Sequence, residues 1–276
     1  MNKKNLVIIG GIIVIVVILT WLVWPKKEAV HAVGSGSAEG VNKKTAQELY
    51  AQASLLRQNG EMLEAKKVYQ EILAEYASFE KIEEVNNTLS DMNMKIIFSN
   101  TPVPQAVVHE VGSGDTLGKL AKKYNTTVDL IRRSNNLKGD TIHVGQKLRV
   151  WQGNFNVFVD KSQNVLMLKD GDEVLKVYRV STGENNSTPA GKFKIASKLV
   201  DPVWFNRGVV VPPDSPQNVL GSRWLGFDMP GYGIHGTIEP ETIGQQVTAG
   251  CVRMNNRDVE ELYSLLPLGT EVVIVD

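Results

Sequence analysis

The chain has 276 residues, 42% hydrophobic and 22% charged, which is too long for one small domain and apolar enough to bury cores. Thirty Lys and Arg balance 30 Asp and Glu, an argument against a dedicated nucleic-acid binder. The single cysteine, Cys251, excludes an intramolecular disulfide framework and a Cys-rich zinc site.

From Leu6 to Trp24 no residue is charged. Nineteen residues at the helical rise of ~1.5 Å span about 28 Å, close to the hydrocarbon core of a bilayer. The apolar run of a cleaved signal peptide is shorter, ~7–15 residues, and this one ends in Trp21, Trp24 and Pro25, an interfacial pattern. Residues 1–24 are therefore expected to be a cytoplasmic N-terminus and an uncleaved single-pass transmembrane anchor, the alternative being a signal peptide cut near Ala32 or Ala38. The body would then lie outside the cytoplasm, in a periplasm or wall space. Residues 25–41, with Gly34-Ser35-Gly36-Ser37, read as a flexible linker.

Residues 42–98 carry three apolar stripes at helical spacing: Ala46, Leu49, Tyr50, Ala53 and Leu56; Ala65, Val68, Tyr69, Ile72, Leu73 and Tyr76; Ile82, Val85, Leu89, Met92 and Ile96. Asn59-Gly60 separates the first two. Gly60, Ala65 and Tyr69 resemble the turn glycine, small packing residue and aromatic of one tetratricopeptide (TPR) unit. One unit is too few for a solenoid, so a spacer, a self-association stalk and a groove for a protein partner all stay open. Ser78-Phe79-Glu80-Lys81 matches S-x-x-K, but neither S-D-N nor K-T-G occurs, and the match is set aside. Residues 99–106 hold Pro102 and Pro104 and read as an extended spacer.

Residues 107–151 read strand–helix–helix–strand, with net charge +4 from eight basic and four acidic residues. Asp115 or Thr116 can cap the first helix, Thr127 the second, and Asn135-Asn136 ends it. Gly114-Asp115-Thr116-Leu117, Ala121 to Tyr124, Asn135-Asn136-Leu137 and Val144 to Leu148 resemble the LysM pattern. That resemblance implies a βααβ module that binds N-acetylglucosamine-containing glycan, such as peptidoglycan, in a shallow groove between two loops. Here those loops are roughly 113–117 (Gly114, Asp115, Thr116, Leu117) and 139–145 (with Ile142 and His143).

Residues 152–276 read as mainly β, with strands near 155–159, 165–168, 174–180, 193–196 and 272–275 and a hairpin signal at Asp170-Gly171. One helix is expected, capped by Asn256, lined by Val259, Leu262, Tyr263 and Leu266, and ended by Pro267. Pro202 to Gly233 reads as a long lid-like loop. The chemistry is concentrated in Ile234-His235-Gly236-Thr237 and Thr248-Ala249-Gly250-Cys251-Val252-Arg253. A thiol needs a base or cation to become a strong nucleophile, and His235 is the available base. Gly250 lets backbone N–H groups approach an oxyanion. Arg253, two residues beyond Cys251, would face the same side if this segment is extended.

These two segments, with Val180 to Gly183, Thr188 to Phe193 and Leu220 to Trp224, resemble the YkuD-type L,D-transpeptidase catalytic domain from about residue 154 onward. Ala249 stands where many members have a second histidine. The resemblance implies peptidoglycan cross-linking. Cys251 would take an acyl group from the third residue of a tetrapeptide stem and release D-alanine. His235 would serve as acid and base, oriented by the Gly236 carbonyl. Arg253 would hold a substrate carboxylate or brace the loop. Neither a cofactor nor a metal is expected: His31, His109 and His143 lie in other segments and no H-E-x-x-H occurs. Two rival readings remain, a carboxypeptidase or endopeptidase on the same fold and a non-catalytic wall-binding scaffold.

Overall fold

A computed structural model describes residues 44–206 and 208–276. The expected anchor at 1–24 and the linker at 25–41 lie outside the described residues, and among those described no helix is long and apolar enough to cross a membrane. The chain divides into two compact units between Met92 and Asn93.

The first unit holds α1 (Ala46–Gln58), α2 (Met62–Glu75) and most of α3 (Ile82–Ile97). Thr45 and Glu48 form a capping box, in which the Thr45 hydroxyl accepts from Glu48 N at 3.3 Å and the Glu48 carboxylate accepts from Thr45 N at 2.7 Å. Gly60, at φ +84°, makes the left-handed step between α1 and α2. Leu49 and Ala53 pack on Ala65, Tyr69 and Ile72, and Ile82, Val85, Leu89 and Met92 close this core. One helix pair with a third helix does not by itself make a tetratricopeptide array.

In the second unit, β1 (Ala106–Glu110), α4 (Leu117–Lys123), α5 (Val128–Ser134) and β2 (Lys147–Trp151) form a βααβ module. Strands β1 and β2 are antiparallel, with Ala106 opposite Trp151 and Glu110 opposite Lys147. Thr116 caps α4 and Thr127 caps α5, each accepting from the backbone three residues on. Asn135 lies beside β2 and bonds both the N–H and the carbonyl of Arg149.

Residues 99–106 are not a free spacer. Arg149 is 6% exposed. Its guanidinium donates to Thr101 O at 2.9 Å, Ile97 O at 3.0 Å and Ile96 O at 3.3 Å. The last carbonyls of a helix lack intrahelical partners and favour a cation, and Arg149 supplies one at the end of α3. Val103 and Ala106 pack against the main core of the unit. Two prolines suggest an extended stretch; only the partner brought by β2 shows that it is tied down.

The remaining residues build one eight-stranded sheet and smaller pieces. The strands are β3 (Phe155–Asp160), β4 (Val165–Asp170), β5 (Glu173–Arg179), β6 (Thr182–Gly183), β7 (Gly191–Val200), β8 (Trp204–Asn206), β9 (Val209–Val211), β10 (Arg223–Phe227), β11 (Gly233–His235), β12 (Gln246–Thr248), β13 (Val252–Arg253) and β14 (Glu271–Val275). The large sheet runs β13-β11-β10-β7-β14-β3-β4-β5. Helix α6 (Asn256–Leu265) contributes Val259, Leu262 and Leu265 to a core shared with Val157, Leu166, Leu225, Ile234 and Val252.

Two expectations are corrected. Pro202 to Gly233 is not one long loop. It holds the β8–β9 hairpin and then β10, a central strand paired with both β7 and β11. Leu225 and Phe227, both buried, are the strand signal that the surrounding prolines and glycines hide. Asn256 also does not cap α6. The cap position falls on Asn255, which makes no side-chain cap bond, and the Asn256 amide is used elsewhere.

Candidate active site

His235 ends β11, and β13 lies beside it in parallel register, with Ile234 opposite Val252 and His235 opposite Arg253. Cys251 immediately precedes β13. Paired residues of parallel strands share a face, and so do residues two apart along one strand. The topology thus gathers His235, Arg253 and the approach to Cys251 at one sheet edge, from segments fifteen or more residues apart in sequence.

His235 is 3% exposed. Its Nδ1 is 2.7 Å from the Gly236 carbonyl; a carbonyl only accepts, so Nδ1 carries the hydrogen and Nε2 of the neutral ring keeps its lone pair. The Trp224 ring stacks on the imidazole at 6.0 Å and 21°. Gly233 leaves room for that indole, because a Cβ there would lie 2.9 Å from its ring edge. The His235 pKa is lowered to about 4, chiefly by burial and also by the Arg253 charge, against backbone hydrogen bonds to Gly236 and Leu220 that favour the imidazolium. Burial pushes the Cys251 thiol up, opposed by a backbone hydrogen bond from Gly233 and by the Arg253 charge. The thiol donates to Gly231 O at 3.5 Å. At neutral pH these shifts favour a neutral imidazole and a neutral thiol.

The nucleophile loop is held by Thr248. Its hydroxyl donates to Cys251 O at 2.7 Å and accepts from Gly250 N at 3.2 Å. The Gly250 N–H, expected in the oxyanion region, therefore already has a partner. Gly250 still fills a steric need: at φ +130°, an added Cβ would lie 2.8 Å from the Tyr232 ring and 3.2 Å from Ser187 O. Arg253 is 8% exposed. Its Nη1 donates to Glu239 at 2.8 Å and to the Thr242 hydroxyl at 2.9 Å, and its backbone pairs with Ser181 in both directions at 2.8 Å. These bonds engage Nη1, while the buried Nε has no hydrogen-bond partner, so both the brace and the carboxylate role stay open for Arg253.

The contribution of Asn256 is absent from the sequence reading. Its Oδ1 accepts from Ser222 N at 3.1 Å and Thr237 N at 3.0 Å, and its Nδ2 donates to Thr237 O at 2.9 Å. This clamp fixes Gly236 and hence the carbonyl that orients His235. The only available signal was an asparagine three residues past Arg253, which also suits a helix cap. Asn256→Ala leaves two N–H groups without their acceptor. It is expected to cost roughly 2–3 kcal/mol in urea unfolding and about tenfold or more in the rate of Cys251 acylation; an unchanged rate would show that the clamp is dispensable.

The buried imidazole also sets a stability window. Its folded pKa lies below the ordinary value of 6.5, so between the two the unfolded chain binds the extra proton and stability rises with pH. Stability should therefore fall as pH drops below about 6.5, the loss from this group reaching about 3 kcal/mol once pH passes below about 4. Urea midpoints of wild type and His235→Gln across pH 4–7 measure it, and the variant should lack this part of the slope.

In the βααβ module, the Gly145 N–H donates to Val111 O at 2.8 Å, which draws the loops around 112–117 and 139–145 together. Several residues expected along that groove have structural duties. Leu117 is 2% exposed and belongs to the module's core, so its side chain is unavailable to a ligand. Thr116 caps α4. Asp115 accepts from Gly112 N at 2.8 Å and pairs with His109 Nε2 at 2.9 Å, and His109 Nδ1 meets the Tyr124 hydroxyl at 2.9 Å. Ile142 is half-buried against the core. Gly114, at φ +82° with open space around it, and His143 remain exposed. Among the described residues no cluster of three His, Cys, Asp or Glu could hold a metal.

Residues 154–274 match the YkuD family, the L,D-transpeptidase catalytic domain, and residues 109–151 match the LysM domain. The putative L,D-transpeptidase YqjB of Bacillus subtilis is 40% identical over 126 residues, which cover 44% of this chain and 70% of that protein. The putative L,D-transpeptidase YkuD of Bacillus licheniformis is 31% identical over 176 residues, 61% of this chain and 98% of that protein. The B. subtilis YkuD protein is 29% identical over 175 residues, again 61% of this chain and 98% of that protein. The chain thus belongs to the YkuD family of L,D-transpeptidases and is an enzyme of that class, with a LysM domain preceding its catalytic domain.

Proposed function

We propose that the enzyme cross-links peptidoglycan stems through a thioester on Cys251. In the first half-reaction, Sγ attacks the carbonyl of the third stem residue while Nε2 of His235 takes the thiol proton. The tetrahedral oxyanion collapses, the bond to the terminal D-alanine breaks, and His235 returns the proton to the leaving amine. In the second, the amine of another stem attacks the thioester. His235 accepts the amine's proton and passes it to the departing sulfur, restoring the thiol. The Gly236 carbonyl and the Trp224 ring orient the imidazole, Thr248 shapes the loop, and Arg253 braces it or holds a substrate carboxylate.

The observation that carries this reading is the Nδ1–Gly236 bond on a buried histidine, beside the strand that presents Cys251. That arrangement leaves Nε2 as a ready base at neutral pH. The LysM domain would bind the glycan, aided by its net charge of +4. Residues 1–24 would anchor the chain in the cytoplasmic membrane with the catalytic body outside, and the helices 46–97 would be a TPR-like spacer or partner surface. The test is incubation of the purified protein with tetrapeptide muropeptides. Cross-linked dimers with released D-alanine are expected. Trimmed monomers alone would make it a carboxypeptidase, and no turnover at all would favour a wall-binding scaffold.

A further inference from the structure

The LysM domain does not sit on a free linker. Two neighbouring residues of α5 face different cores: Ile131 packs inside the LysM domain, while Leu130, 0% exposed, is buried in the core of the catalytic sheet. Thr127, the α5 cap, donates its hydroxyl to Ser264 O on α6. Arg133 donates to the Ser264 hydroxyl at 2.8 Å and lies over the Phe98 ring at 3.4 Å. Trp151, last residue of β2, stacks flat on Phe155, first residue of β3, with 5.7 Å between rings and 2° between planes. Helix α6 follows directly from β13 and also carries Asn256, whose amide clamps the loop beside His235. The seam with LysM and the clamp on the catalytic histidine thus share one ten-residue helix.

We infer that the LysM domain is a fixed positioning arm rather than a tether, so that a glycan strand held in its groove presents its stems to Cys251 at a set distance and orientation. This rests on the proposed cross-linking function and names its preferred substrate, stems still attached to polymeric glycan. A flexible tether only raises local concentration. A rigid arm also fixes orientation, where a displacement of about 1 Å can cost about 100-fold in rate.

Leu130→Ser combined with Arg133→Ala loosens the seam without touching the LysM core, Cys251 or His235. Relative to wild type, cross-linking on intact sacculi should fall tenfold or more while turnover of soluble muropeptides stays within about twofold. Equal rates on sacculi would overturn the arm. Should the variant lose activity on both substrates, backbone 15N relaxation of the wild-type full chain decides: a common rotational correlation time for 109–151 and 154–274 supports one body, and separate times overturn it. Absence of muropeptide turnover in wild type would instead strike the proposed function itself.

Discussion

Cys251→Ala is expected to abolish both cross-linking and covalent labelling by a carbapenem, a loss of at least ~1,000-fold set by removal of the nucleophile itself. The variant should fold normally, because the thiol fills a small, partly exposed place and its polar contacts are to backbone, a 3.5 Å bond to Gly231 O and one from Gly233. Intact mass after carbapenem exposure reads the result: an adduct on wild type and none on Cys251→Ala. An adduct that persists in the variant would remove Cys251 from the chemistry. The pH dependence follows from the neutral resting pair. With His235 near 4 and the thiol pushed up by burial, the acylation rate should stay flat from about pH 5 to 8. A limb inside that range would show that His235 or Cys251 titrates there and would overturn the neutral pair.

Gly221→Ala is expected to be the most damaging substitution outside the nucleophile. Gly221 sits at φ +62°, and an added Cβ would lie 2.2 Å from Asn256 Oδ1, 2.3 Å from Thr237 N and 2.6 Å from Gly236 C. Two of those atoms are backbone and cannot swing aside. The segment bearing Gly236 must move, and with it the carbonyl that holds Nδ1 of His235. A loss of roughly 3 kcal/mol in stability and about 100-fold or more in acylation rate is expected from urea unfolding and carbapenem kinetics. Gly171→Ala supplies the control. It shares the left-handed conformation, at φ +58°, but nothing lies within 4 Å of its new Cβ, so only the backbone term of about 1–2 kcal/mol applies. Equal losses for both would mean that the crowding at Gly221 is unimportant.

Much of the architecture is legible in local patterns. The stripes at Leu49/Ala53 and Ala65/Tyr69/Ile72 give α1 and α2 because helical periodicity is a property of neighbours three and four residues apart. Thr116 and Thr127 mark helix starts by a bond to a backbone N–H three residues away. Gly171 marks the β4–β5 turn by its permitted φ. Strand β10 is less legible: only five residues long, it has prolines, glycines and an exposed hairpin on its N-terminal side, and its place between β7 and β11 depends on partners far away in sequence. That 99–106 is tied down is hidden for the same reason, since Arg149 reaches it from 48 residues further along.

The amino-acid sequence alone determined the module order, the chemistry available at Cys251 and His235, and the family resemblance, because each resides in residue identity and short spacing. Only the tertiary structure decided that Arg253 is engaged with Glu239 and Thr242, that Asn256 clamps the loop instead of capping a helix, and that Leu130 leaves its own domain for the catalytic core. Those facts depend on which distant atoms meet once apolar faces are buried, and a side chain with several satisfying partners, such as an asparagine or an arginine, does not announce its choice in the sequence.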